Sequence, residues 1–159
     1  MLKLVQLAAL LLILSTITSI PMLMAQSQPM PSAPIPAQIL AAKKVFISNS
    51  GDDDLTIPHQ LHAPTLTYNQ FYADIKTWGK YELTSSPADA DVVFEIQSYD
   101  SPAGLHVHLT ILDPKTRITL WSLTQPVEGG SRAATARKNF DDAMNTLVSD
   151  LKKLLAGSQ

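Results

Sequence analysis

The sequence predicts an α+β fold: a two-layer sandwich in which a mixed, mostly antiparallel sheet of about five strands carries two helices on one face. Three observations lead there. Residues 68–78 and 140–155 repeat apolar side chains every three or four positions, the stripe of a helix lying on a core. Five short segments between and before them are rich in β-branched and aromatic residues. Their order is β-α-β-β-β-β-α, and two striped helices need a sheet to cover.

The chain opens with Lys3, an apolar run over residues 4–20 and the helix breaker Pro21, the pattern of a secretory signal peptide ending at Ala25. Left uncleaved, the same run is at the short limit of a membrane span, so membrane attachment is expected only in that case. Residues 26–40 hold Pro29, Pro31, Pro34 and Pro36 and read as an extended linker, because proline fixes its own φ and disfavours helix in the residue before it. A single domain over 41–159 follows. "KKVFISN" sets Val45, Phe46 and Ile47 in succession, which suits a strand interior to the sheet. "GDDDLTIPHQLHAP" reads as a loop.

In the first helix Tyr68, Phe71, Tyr72, Ile75 and Trp78 form the stripe, Thr65 or Thr67 is placed to cap it, and Gly79 to end it. "YELTS" is a short second strand. "SPADADVVFEIQSY" turns into a third, with Val92, Phe94 and Ile96 on one face and Val93, Glu95, Gln97 and Tyr99 on the other. "LHVHLTIL" and "RITLWSL" complete a meander about the turn "DPKT". In the last helix Phe140, Ala143, Met144, Leu147, Val148, Leu151, Leu154 and Leu155 share a stripe, with Gly157 as the stop.

Requiring apolar faces to coincide sets the expected registers. Leu112 pairs with Arg117, and Ser98 with Leu105. The face away from the helices then reads in rows: Gln97, His106, Leu123; Glu95, His108, Trp121; Val93, Thr110, Thr119. His108 is expected beside the Glu95 carboxylate, which favours the charged imidazole and raises its pKa. Glu95, Tyr99, His106, His108, Trp121 and Leu123 make an aromatic and polar surface suited to binding a partner.

Other chemistry finds little support. The 159 residues contain no cysteine, which excludes disulfides, thiolate catalysis and a lipid-anchored amino-terminal cysteine. A net charge of −2 lacks the basic footprint of a nucleic-acid binder. His106 and His108 share a strand face and, with Glu95, are the weak candidates for a metal site; His59 and His62 behind Asp52, Asp53 and Asp54 fall in a proline-broken loop. "EGGSRAATARK" lacks the lysine and hydroxyl residue that complete a phosphate loop. No nucleophile elbow or other catalytic constellation is present and no cofactor is implied.

"SSPADADVVFEIQSY", then "LTILDPKTRITLWSLTQPV" and an amphipathic last helix, resemble small exported bacterial proteins. The same segments are similar to the accessory-domain fold of the Tol-system translocation protein amino-terminal domain and of curli-secretion-type and penicillin-binding-protein-activator lipoproteins. The likeness spans about residues 43–156. It implies a periplasmic or secreted, non-enzymatic domain of the cell envelope whose partner is another envelope protein or a second copy of itself. The alternative expectation is a small-ligand or metal-binding periplasmic protein using His106, His108 and Glu95.

Overall fold

The computed structural model of the protein describes residues 33–51 and 65–156. The signal segment, the loop histidines His59 and His62 and the stop at Gly157 lie outside the described residues. Within them the chain forms α1 (Ala37–Ala41), β1 (Lys44–Asn49), α2 (Leu66–Trp78), β2 (Glu82–Leu83), a 3-10 turn (Pro87–Asp89), β3 (Val92–Ser101), β4 (Gly104–Leu112), β5 (Thr119–Pro126) and α3 (Ala133–Ala156). The strands make one open mixed sheet in the order β2-β1-β3-β4-β5. Parallel and antiparallel pairings are equal in number: β1 runs parallel to β2 and β3, and β3-β4-β5 is an antiparallel meander.

One face of this sheet carries α2 and α3, as expected. Val45, Ile47, Val92, Phe94, Ile96, Val107, Leu109 and Ile111 meet Phe71 and Ile75 of α2 and the Phe140 to Leu155 stripe of α3 in one buried cluster. Gly79 ends α2 at φ 67°, a left-handed conformation that glycine adopts without a Cβ clash, and its N–H returns to the Ile75 carbonyl at 3.3 Å. Of the two expected caps, Thr65 occupies the N-cap position but its side chain makes no capping hydrogen bond, and Thr67 lies within the helix. Its side chain is fully buried and its hydroxyl donates to Ser98 on β3 at 3.1 Å, tying helix to sheet.

The segment expected as an extended linker contains a turn of helix, α1, behind Pro36, and its Ile39 is 1 % exposed within the core cluster. A five-residue helix in a proline-rich stretch is too short to carry a periodic stripe, so it left little pattern to read. The "ADAD" lead-in to β3 has a structural task. Asp91 accepts the backbone N–H groups of Lys43 and Lys44, each at 2.9 Å, and these bonds hold its carboxyl below the usual range. It thereby fixes where β1 begins beside β3.

Both hairpins depart from the expected register, with different consequences. The β3-β4 turn is tighter than expected, pairing Ser101 with Gly104, so Ser98 meets Val107 instead of Leu105. Gly104 sits at φ 111°, which only glycine adopts readily. Partners move by two positions and every side chain keeps its face.

The β4-β5 turn is wider. Asp113 Oδ1 accepts from Lys115 N and Thr116 N, Asp113 N donates to the Ile118 carbonyl at 3.0 Å, and Arg117 closes the loop at φ 60°. A β-bulge between Ile111 and Leu112 then leaves Leu120 as an extra residue, so that Leu112 meets Thr119 while Ile111 meets Trp121. The wider loop moves the register by two positions. The bulge moves it by one more and inverts the faces of β5.

Candidate functional site

The open face of the sheet is built from alternate residues of the strands whose other face forms the core. Its rows run Phe46, Val93, Leu112; Ser48, Glu95, Thr110, Ser122; Gln97, His108, Thr124; and Tyr99, His106, Pro126. The first row is apolar, and Val93 and Leu112 are buried at 0 % and 5 % exposure. The last two rows are polar and aromatic, and their β3 and β4 members are half-buried. The accessible part of the face is therefore the Tyr99, His106 and His108 end.

There the rings form an ordered group. Tyr99 stacks on His106 with centroids 5.3 Å apart and planes 11° from parallel, and meets His108 edge-on at 6.0 Å and 75°. His106 Nδ1 lies 2.7 Å from the Gly104 carbonyl, which only accepts, so Nδ1 is the protonated nitrogen. Ser101 Oγ is 3.4 Å from the same nitrogen. His108 Nδ1 lies 2.7 Å from Thr124 Oγ1. Each imidazole is thus held through Nδ1, and neither Nε2 has a hydrogen-bond partner among the described residues.

Several expected neighbours are elsewhere. Trp121 and Leu123 do not belong to this surface: the bulge turns them to the helix side, opposite Ile111 and Leu109, where they pack partly buried against the core. Gln125, two residues on, confirms the direction by donating to Asp150 of α3 at 2.7 Å. Glu95 remains on the open face but lies opposite Thr110, and its carboxylate receives Arg117 at 3.1 Å. The expected Glu95 and His108 pair is absent. His108 is held below its ordinary pKa, not above it, because partial burial disfavours the charged ring and no carboxylate adjoins it.

The same displacement separates the three weak metal candidates: Glu95 is a full row from His108 and two from His106. Among the described residues no three His, Cys, Asp or Glu side chains are grouped to hold a metal. At the start of α3 the basic residues are also engaged, Arg137 with Asp141 at 2.9 Å and Lys138 with Asp142. A cleft of about 510 Å³ lies apart from the histidines, between β1, β2 and α2. Its described lining, including Phe46, Tyr68, Tyr72 and Thr84, holds no carboxylate, imidazole or amine. The groups that sequence reasoning missed are Thr124 and Arg117, each placed by the true registers; Gln97, expected on this face, has His108 as its neighbour instead of His106. Thr124 is visible in advance only as a polar residue of a strand whose phase the bulge sets.

Among the described residues no helix is long and apolar enough to cross a membrane. No family model matches the sequence, and no curated protein matches it. Solved structures resemble it weakly. The PelC dodecamer from Paraburkholderia phytofirmans aligns at 16 % identity with a TM-score of 0.47, over 76 % of this chain and 93 % of that one. TolB from Acinetobacter baumannii aligns at 19 % identity and 0.36, over 69 % of this chain and 29 % of its own. A Helicobacter pylori homolog of a neuraminyllactose-binding hemagglutinin aligns at 11 % and 0.43, over 82 % and 94 %. These are distant resemblances of chain course, and they assign no function.

Proposed function

We propose that this chain is an exported, non-enzymatic binding module of the cell envelope, docking another envelope protein on the Tyr99, His106 and His108 end of its open sheet face. The supporting observation is the ring group itself. Three aromatic side chains stand half-buried on the β3-β4 strand pair, two of them oriented by hydrogen bonds to Gly104 and Thr124. Rigid rings with free polar edges lose little conformational entropy on contact and supply both apolar area and directed hydrogen bonds. Export rests on the amino-terminal apolar run and the absence of cysteine is compatible with an oxidising compartment.

The test is site-specific photocrosslinking of the full chain in its host, with the photoreactive side chain at Gln97 beside the rings or at exposed Lys153 on α3. The expected result is an adduct with one envelope protein from Gln97 alone, lost on Tyr99→Ala with His106→Ala while the melting temperature stays within about 3 °C. Equal adducts from both positions, or an adduct that survives the double substitution, would discard this face.

A further inference from the structure

The two edges of the sheet are protected to different degrees. The β2 edge is only two residues long, and Glu82 in it is ion-paired with Lys44 at 3.6 Å. Short, charged edges resist pairing with other strands. The β5 edge is eight residues, "TLWSLTQP", without a single charged side chain, and among the described residues no strand covers its outer side. Its only proline is the last residue.

From this we infer that β5 pairs antiparallel with β5 of a second copy, about a two-fold axis through Ser122. Val127 N donates to the Leu105 carbonyl, so by alternation the backbone groups of Val127, Gln125, Leu123 and Trp121 point at β4. Those of Thr119, Ser122 and Thr124 point outward, and the bulge interrupts the alternation at Leu120. Centring the pair on Ser122 sets Leu120 against Thr124 of the second copy and leaves Pro126, which has no N–H, beyond the ladder. A shift of one residue would draw Pro126 toward the ladder and set Trp121 against the polar Gln125.

Three features select a second copy over another strand. Trp121 and Leu123 face the helix layer yet remain only partly buried, because they stand at its rim. The pairing sets each Trp121 against Leu123 of the other copy and completes that burial. Ile118, 63 % exposed, gains a neighbour in the same way at the end of the ladder. The charges flanking the strand are also self-complementary: Lys115 precedes it and Glu128 follows it, so antiparallel pairing brings Lys115 of one copy beside Glu128 of the other. Parallel pairing would set like against like. The product is a continuous ten-stranded sheet with α2 and α3 of both copies on one side, and its contact is isologous.

Because the chain has no cysteine, the axis can be tested directly. In the full chain, Ser122→Cys is expected to give a disulfide-linked dimer under mild oxidation, and Lys153→Cys none. Ser122→Lys and Ser122→Glu each place like charges directly opposite one another and are expected to weaken dimerisation about fivefold in sedimentation, while an equimolar mixture of the two restores it. Ser122 is exposed and its side chain makes no hydrogen bond among the described residues, so melting temperatures at dilutions where the monomer predominates should not move. Crosslinking at Ser122→Cys no greater than at Lys153→Cys, dimers undiminished by Ser122→Lys, or capture of a different protein at Ser122→Cys would each overturn the axis. The ring face is untouched by these variants, so loss of the dimer leaves the envelope-protein reading standing.

Discussion

The two faces of β3 and β4 are made of alternate residues of the same strands, and they differ in almost every physical respect. Phe94, Ile96, Leu109 and Ile111 are 0 % exposed under two helices. Glu95, Gln97, His108 and Thr110, their immediate neighbours, are half-exposed and polar. A strand assigns its residues to faces with period two, so one face carries cohesion while the other is left for recognition. The division is not complete, since Val93 and Leu112 are buried on the open side. Only the half of that face farthest from them is left for a partner.

The largest effect should come from breaking the helix-covered face at its centre. Phe94 lies 6.2 Å from Phe71 and 5.5 Å, edge-on, from Tyr81, with no exposure. Phe94→Ala removes this contact and leaves a cavity, and a loss of about 3–5 kcal/mol is expected in urea unfolding. Tyr81, whose hydroxyl is buried without a partner among the described residues and whose pKa burial pushes up to about 12, would gain solvent and titrate nearer its ordinary value of 10.0. Glu95→Ala, one residue away, should cost no more than about 1 kcal/mol, the worth of an exposed ion pair.

A smaller effect tests the bulge. If Trp121 packs against the helix layer, Trp121→Ala costs about 2 kcal/mol, a partly buried fraction of a full core truncation. Tyr99→Ala, on the open face, costs about 1 kcal/mol or less. Without the bulge Trp121 would stand on the open face, and the expected order of these two losses would disappear. Thermal unfolding of the two variants side by side decides it.

That bulge also marks where the sequence stopped being legible. The five strands, the helix stripes and the Gly79 stop were readable because each follows from a period or from the conformational freedom of one residue type. The faces of β3 and β4 were readable too, because an error of two positions in the Ser101 and Gly104 turn leaves parity intact. In β5 the pattern itself was ambiguous. Leu120, Trp121 and Leu123 are all apolar, so two opposite phases bury a similar set, and only the extra residue at Leu120 chooses between them. The aromatic group of Tyr99, His106 and His108 survived this error, since it sits on the strands of fixed parity. Its partners did not: Arg117 takes Glu95 and Thr124 takes His108.

The smallest expected effect distinguishes the two accounts of His108 in solution. Partial burial holds its pKa below the unfolded value of 6.5, and Thr124, Gln97 and Tyr99 around it bring no negative charge. Below that value the unfolded chain binds a proton more readily than the folded one. His108 therefore contributes stability that is present above the unfolded pKa and lost as the pH falls through the folded one. His108→Gln keeps a polar group beside Thr124 and removes the titration. Its urea midpoint should fall less than that of the parent between about pH 7 and pH 5, where the imidazole protonates. Had Glu95 stood beside the ring, the folded state would hold the proton more tightly and the parent would instead be protected by acid relative to His108→Gln. The sign of that difference reports which register the β3-β4 hairpin adopts, independently of any partner the face binds.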